Sequence, residues 1–259
     1  EMRVAEGLHA GEYAIEQGLT PRSLLARMAR GEVIQHRITL IEGSTFREIR
    51  LALAADATLV QATAAMSDAE VMAALGAAGV HPEGQFLPET YAYAKGMQDL
   101  DVLRRAYQAM RKAVADAWTQ RVAELPLASA EQLLVLASIV EKETGRADER
   151  ERIAGVFLRR LKIGMRLQTD PTVIYGIGPA FDGNLTRRHL ETDTPYNTYT
   201  RFGLPPTPIA APGRAALRAV ARPAGGEALF FVARGDGSHQ FSATLREHNA
   251  AVARYQLGR

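Results

Sequence analysis

The longest apolar run in the chain is Leu133–Ala137, resumed after Ser138 by Ile139 and Val140. A bilayer span needs about 20 such residues, so this run reads as a core helix and not a membrane one. Leu133, Leu136, Ile139 and Val140 share one face of that helix, and the rest of the chain must supply surfaces that bury it. At about 100° per residue, Glu143 falls roughly 25° from the centre of the apolar face, whereas Glu141 falls more than about 90° away and Lys142 points outward. A carboxyl at the carboxy-terminal end of an apolar stripe is desolvated and meets the negative end of the helix dipole, and both raise its pKa. A carboxylic acid still protonated near neutral pH is what general-acid cleavage of a glycosidic bond requires. The plainer alternative is an ion pair of Glu143 with Arg150 or Arg159.

With 259 residues, a chain of this size buries about three-quarters of its unfolded surface, enough for a core without covalent staples. There is no cysteine, which excludes disulfides, a Cys-based zinc site and a thiol nucleophile. The length fits one or two domains. Net charge is +2, and only Lys95, Lys112, Lys142 and Lys162 are lysines among 31 basic residues. The arginines are scattered among Glu and Asp, so no nucleic-acid face is expected. The chain opens Glu1-Met2-Arg3 in what reads as mid-domain sequence, without a signal peptide, and is taken as an excised fragment.

The pattern predicts an α+β chain. Gly11–Ile15 reads as a strand. Thr20-Pro21 starts a helix that stops near Gly31, and Val33–Ile41 is a second strand. Phe46, Ile49 and Leu53 lie at helical spacing, and 59–80 reads as Ala-rich helices ending at Gly79. The Pro/Gly-punctuated run 81–91 marks a boundary, which divides the chain into a module over 1–80 and a mainly helical domain over 81–259. Helices follow over 99–123, 129–144 and 149–161, then a turn-rich stretch over 164–212 and a helix over 213–221. A short hairpin turns at Asp236-Gly237, and the last helix runs from Thr244 to Tyr255.

Three further segments could carry chemistry. Gly164–Gly176 concentrates Gln168, Thr169, Asp170, Thr172 and Tyr175 in a turn between helices, which suits hydroxyl-rich ligands. Asp170 before Pro171 could equally be a helix cap. Tyr196 and Tyr199 flank Asn197 and could present aromatic faces to sugar rings, beside a stiff wall at Pro205-Pro206. His239 and His248 are nine residues apart, which fits no metal-ligand pair on one helix.

Taken in order, these segments resemble the endolytic murein transglycosylase family (MltG, YceG-like). The matching residues are Leu136–Thr144, Glu149-Arg150, Val156–Leu161, Gly164–Gly176, Tyr196–Tyr199, Gly203–Pro206, Ile209, Pro212-Gly213, Phe231-Val232, Gly237, His239, Phe241 and His248-Asn249. They cover most of residues 81–259. The resemblance implies Glu143 as the catalytic acid, the second Glu of the Glu-Lys-Glu-Thr segment and the residue the helical wheel also selects. It implies a LysM-like peptidoglycan-binding module over 1–80 and a YceG-like catalytic domain over 81–259. The substrate would be the peptidoglycan glycan strand, with no cofactor and no metal. Penicillin-binding synthases would be partners. The protein would act outside the cytoplasm, held to the bacterial inner membrane by an amino-terminal helix outside this sequence.

In the mechanism so implied, Glu143 protonates the oxygen between N-acetylmuramic acid and N-acetylglucosamine. Its carboxylate then takes the proton of the muramyl C6 hydroxyl, which closes a 1,6-anhydro ring. Gln168, Asp170, Thr172, Tyr175, Tyr196, Asn197 and Tyr199 are the candidate cleft-lining residues. Two rivals stand beside this reading. A non-catalytic wall-binding scaffold would bind glycan without cutting it. A pyridoxal phosphate-dependent lyase would need a Schiff-base lysine, and Lys142 points off the apolar face.

Overall fold

The computed structural model describes residues 8–258. Among these the fold is α+β, as expected, with ten α-helices and two small antiparallel sheets. The helices are α1 (Pro21–Arg30), α2 (Phe46–Ala54), α3 (Asp68–Ala74), α4 (Asp99–Thr119), α5 (Ala130–Glu143), α6 (Arg150–Lys162), α7 (Asp170–Ile177), α8 (Arg187–Glu191), α9 (Arg214–Ala221) and α10 (Leu245–Tyr255). The strands are β1 (Gln35–Thr39), β2 (Thr90–Ala94), β3 (Phe230–Ala233) and β4 (His239–Ser242).

Local chemistry starts α1, α2 and α10 where the sequence predicts, while α7 and α8 form within the stretch 164–212 that the sequence reads as turn-rich. Thr20, Thr45, Ser67, Thr186 and Thr244 each close a reciprocal capping box with the residue three positions on, satisfying amide donors that a helix start leaves open. Gly31 ends α1 in the left-handed conformation.

Two expectations fail in the amino-terminal part. Gly11–Ile15 forms no strand; one backbone bond, from Ile34 N to Glu12 O, is what ties it to the chain ahead of β1. Residues 59–80 contain α3 alone. The 58–63 loop before it is pinned by buried Asp99, which accepts from the Ala62 and Thr63 amides.

The boundary expected at residue 80 cuts through a sheet. β1 pairs with β2 in the register His36↔Tyr93 and Ile38↔Tyr91. These pairs join Phe46, Ile49, Leu53, Val71 and Met72 in one apolar cluster that continues into Val102, Leu103 and Tyr107 on the first half of α4. The second half of α4 enters a different cluster through Met110 and Ala113, with α5, α6 and α9. Thus α4, about 30 Å long at 1.5 Å per residue, belongs to both cores, and the seam runs across it.

At the centre of the second cluster, α5 is buried on all sides, since every residue from Leu133 to Val140 is enclosed. One apolar face is therefore too narrow a description. The fourth side is closed by the run into α9, where Ile209 N donates to Ser138 Oγ at 3.0 Å. The Pro-rich segment thereby packs on α5 as part of the core.

Buried Glu83 links the clusters. It accepts from Phe46 N at the start of α2 (2.9 Å) and from the Tyr175 hydroxyl on α7 (3.1 Å). Burial pushes its carboxyl up to about 7. A carboxyl raised in the folded state contributes stability that is whole below its unfolded value near 4.5 and is lost as pH rises through 7. The loss amounts to on the order of 3 kcal/mol. Glu83→Gln keeps an acceptor for Phe46 N, faces the Tyr175 hydroxyl with its amide N–H as donor, and removes the titration. Denaturant unfolding from pH 4.5 to 8 should show wild-type stability falling relative to that variant, with the variant more stable at pH 8. Parallel curves would contradict this role for Glu83.

Candidate active site

The end of α5 delivers Glu143 to a cleft. Thr144 leaves the helix in extended conformation, and its Oγ1 accepts from Arg146 N as the chain turns toward α6. Glu143 itself is half-buried and looks into an opening of about 550 Å³, within the usual range for ligand sites. Its Oε1 accepts a hydrogen bond from Thr169 Oγ1. Burial raises the Glu143 pKa; the Thr169 bond opposes the shift, the charge of Asp170 adds to it, and His239 and Arg160 oppose it, with the net direction upward.

The ion-pair alternative for Glu143 is not realised. Arg150 lies 3.5 Å from Glu141, and Arg159 donates to the backbone oxygens of Ala228 and Ala224. Among the described residues, Glu143 makes no ion pair. Glu141 corrects the helical-wheel expectation as well. Its side chain is only 5% exposed, and its Oε2 accepts from Gly213 N at 2.9 Å. Lys142 is exposed and donates to Gly43 O, and it does not line the cleft.

The opposite wall is the segment 167–170. Gln168 takes the left-handed conformation (φ 50°), which is uncommon for a residue with a long side chain. It is held there by its own N–H to Thr198 O, by Thr169 N to Thr198 Oγ1, and by Arg160 Nη1 to Leu167 O. Asp170 opens α7 without acting as its cap; it accepts from the Tyr199 hydroxyl at 2.5 Å. Gln168, Asp170 and Tyr199 therefore line the cleft with Glu143.

The other four candidates lie behind that wall. Thr172 is buried and donates to Thr169 O. Asn197, also buried, donates to the carbonyls of His189, Leu190 and Thr192 and accepts from Tyr199 N, so it shapes the loop that carries Tyr199. Tyr175 and Tyr196 pack edge to face at 4.8 Å, their hydroxyls engaged by Glu83 and Thr207. Their rings belong to the support of the cleft.

Several lining residues escape local sequence reasoning. Phe230–Ala233 on β3, His239 on β4, and His248, Asn249 and Val252 on α10 form the third side, with Arg160 of α6 beneath. His239 is clamped by buried Glu149, as Nδ1 to Oε2 at 2.6 Å and N to Oε1 at 3.0 Å. Ninety residues separate these two partners. The sequence signal for the pair is thin: the hairpin places His239 at the start of its second strand, and nothing local points to Glu149.

A family model described as the YceG-like family matches residues 1–254. The chain is 31% identical over 268 residues to a Bacillus subtilis protein named endolytic murein transglycosylase, an alignment covering 97% of this chain and 74% of that one. It is 26% identical over 281 residues to a protein of the same name from Streptococcus pneumoniae serotype 2, covering 96% of this chain and 51% of the relative. A crystal structure of a YceG-like protein from Listeria monocytogenes superposes with a TM-score of 0.71 at 30% identity, covering 94% of this chain and 85% of that one.

The two carboxyls at the end of α5 should separate on mutation. Glu141→Ala strips an acceptor from Gly213 N–H and a counter-charge from Arg150, and should cost about 3 kcal/mol. Glu143→Gln keeps volume and the Thr169 contact while removing a desolvated ionisable group. Melting at pH 8 should show a lower midpoint for the first variant and an equal or higher one for the second. The reverse order would contradict these assignments.

Proposed function

The chain belongs to the YceG-like family, and from that premise we propose that it is a lytic transglycosylase cutting inside peptidoglycan glycan strands, with Glu143 as its acid and then its base. The enzyme class follows from the relatives' shared name, read together with near-complete coverage of this chain. The observation that carries the residue assignment is the Glu143 carboxyl itself. It ends a helix enclosed from Leu133 to Val140, opens onto the cleft, accepts from a neutral hydroxyl, and has no cation paired to it among the described residues.

The chemistry asks for a proton donor at rest. Burial favours the neutral acid, so Glu143 holds its proton at pH values where an ordinary carboxyl has lost it. It gives that proton to the oxygen bridging N-acetylmuramic acid and N-acetylglucosamine as the C1–O bond breaks. The C6 hydroxyl of the same muramyl residue attacks C1 and closes a 1,6-anhydro ring, and its proton returns to the Glu143 carboxylate. No water is consumed, which removes the need for the second carboxylate of a hydrolase. Arg160 bears on Glu143 in the direction that stabilises its anion, the state formed midway. Gln168, Asp170 and Tyr199 supply polar contacts for sugar hydroxyls.

The amino-terminal cluster built on β1, β2 and α2 is assigned the LysM-like role of holding wall glycan, with the catalytic unit following from α4 onward. Acting on the wall, the protein works outside the cytoplasm, anchored at the inner membrane by a segment beyond this sequence. There it ends nascent strands beside penicillin-binding synthases. Among the described residues no helix is long and apolar enough to cross a membrane.

Digestion of sacculi followed by mass spectrometry tests the reading. Wild type should release 1,6-anhydro-muropeptide ends, and Glu143→Gln should lose about 1,000-fold or more of the rate while remaining folded. Because the free enzyme must be protonated at Glu143, activity should fall as pH rises through that carboxyl's pKa, which lies above 4.5. Cleavage by the Gln variant at the wild-type rate would remove Glu143 from the mechanism. Glycan binding with no product would leave only a scaffold.

A further inference from the structure

The transglycosylase reading uses Glu143 and leaves a second titratable pair in the same cleft without a task. Glu149, at the start of α6, is 5% exposed, and both of its carboxylate oxygens are committed to one residue, His239 of β4. The ring is also braced by aromatic edges, with Phe231 at 5.4 Å and 90° and Phe241 at 6.4 Å and 67°. The carboxylate takes Nδ1. The other ring nitrogen, Nε2, has no hydrogen-bond partner among the described residues, and His239 lines the cleft that holds Glu143. A carboxylate on one imidazole nitrogen fixes the tautomer and turns the other nitrogen into an oriented acceptor.

We propose that His239 is a second catalytic residue, whose Nε2 takes the hydrogen bond of the muramyl C6 hydroxyl and relays its proton to Glu143, with Glu149 as the positioning residue. This rests on the transglycosylase reading. An enzyme that makes an anhydro ring has to present an internal hydroxyl to C1 before water reaches it. A carboxyl that has just protonated the leaving oxygen is on the wrong side of that event to align the nucleophile beforehand. A fixed acceptor elsewhere in the cleft can do so.

The step balances. Glu143 gives its proton to the bridging oxygen, and the C1–O bond breaks. O6 attacks C1, and its proton leaves along the hydrogen bond to Nε2. The imidazolium, held on its other side by the Glu149 carboxylate, returns a proton to the Glu143 carboxylate. His239 ends neutral and Glu143 ends protonated, ready for the next strand. If the pair only fastened β4 to α6, the bond from His239 N to Glu149 would serve with almost any side chain, and the free nitrogen would have no consequence.

The test measures kcat, KM and product partition on sacculi with the full chain. His239→Phe keeps a ring between Phe231 and Phe241 and removes both nitrogens. It should lower kcat about 100-fold, leave KM within about threefold, and shift products from anhydro toward reducing ends as water competes for C1. Glu149→Gln, whose one amide oxygen can accept from only one of the two His239 groups, should move both readouts in the same direction by a smaller factor. His239→Gln carries an amide near the Nε2 position and should retain more of the anhydro share than Phe; it also stands in if the Phe variant does not fold. A folded His239→Phe with unchanged kcat, or with a lower rate at an unchanged anhydro share, overturns the relay. Wild type that yields no anhydro ends, or an active Glu143→Gln, instead overturns the transglycosylase reading on which the relay depends.

Discussion

The enclosure of α5 is the constraint from which the rest of the site follows. Eight consecutive residues, Leu133–Val140, are buried between α4, α6, α9 and the Pro-rich run before α9. Each large apolar side chain so enclosed contributes roughly 1.5–3 kcal/mol. Against that, keeping one carboxyl displaced costs about 1.4 kcal/mol for each pKa unit. The core can therefore sustain a desolvated acid at its edge. The helix ends at Glu143, where burial and the negative end of the helix dipole act together on the carboxyl. Two positions earlier, burial raises the Glu141 carboxyl too, opposed by its hydrogen bond from Gly213 N–H and by the charge of Arg150. Burial thus displaces both carboxyls on this helix end, and the cleft in front of Glu143 is what separates them.

The second constraint is how the amino-terminal cluster meets this core. The turn after β1 exchanges backbone bonds with the Pro-rich run before α9, Gly43 N to Ala211 O and Ala211 N to Ser44 O. The Glu42 carboxyl lies over Gly213, and Gly84, at φ 74°, is pressed against Pro208. These close approaches, the shared helix α4 and the Glu83 bridge bind the two clusters within a few residues of Glu141. A substitution in the amino-terminal part that loosened this seam would reach the end of α5 directly.

What could be read in the sequence was mostly local. Capping boxes, Pro21, Gly31 and the Asp236-Gly237 hairpin are written within a few residues of their structural consequence. The helical wheel places Glu143 at the buried end of α5, but it misplaces Glu141, because the partner that encloses that side chain, Gly213, lies seventy-two residues on. Pairings across long separations are not legible in this way. β1 finds β2 some fifty residues on, which is why a boundary at residue 80 looked natural from the Pro/Gly run and yet divides a sheet. Tyr175, Tyr196 and Asn197 look like ligand-facing residues until their hydroxyl and amide partners are seen. Glu149 and His239 both fall among the residues that carry the family resemblance, but their pairing is not written locally and arises only when α6 and β4 meet.

The account stands on the protonation state of one side chain. Carbon-13 labelling of the glutamate carboxyls, with Glu143→Gln to assign the missing resonance, follows Glu143 through its titration by NMR. The account predicts a midpoint above the ordinary 4.5, moving higher still in Thr169→Val, where the hydrogen bond that favours the anion is lost. A Glu143 carboxyl that titrates at or below 4.5 in the folded protein would contradict it, because the acid would already have lost the proton it is there to give.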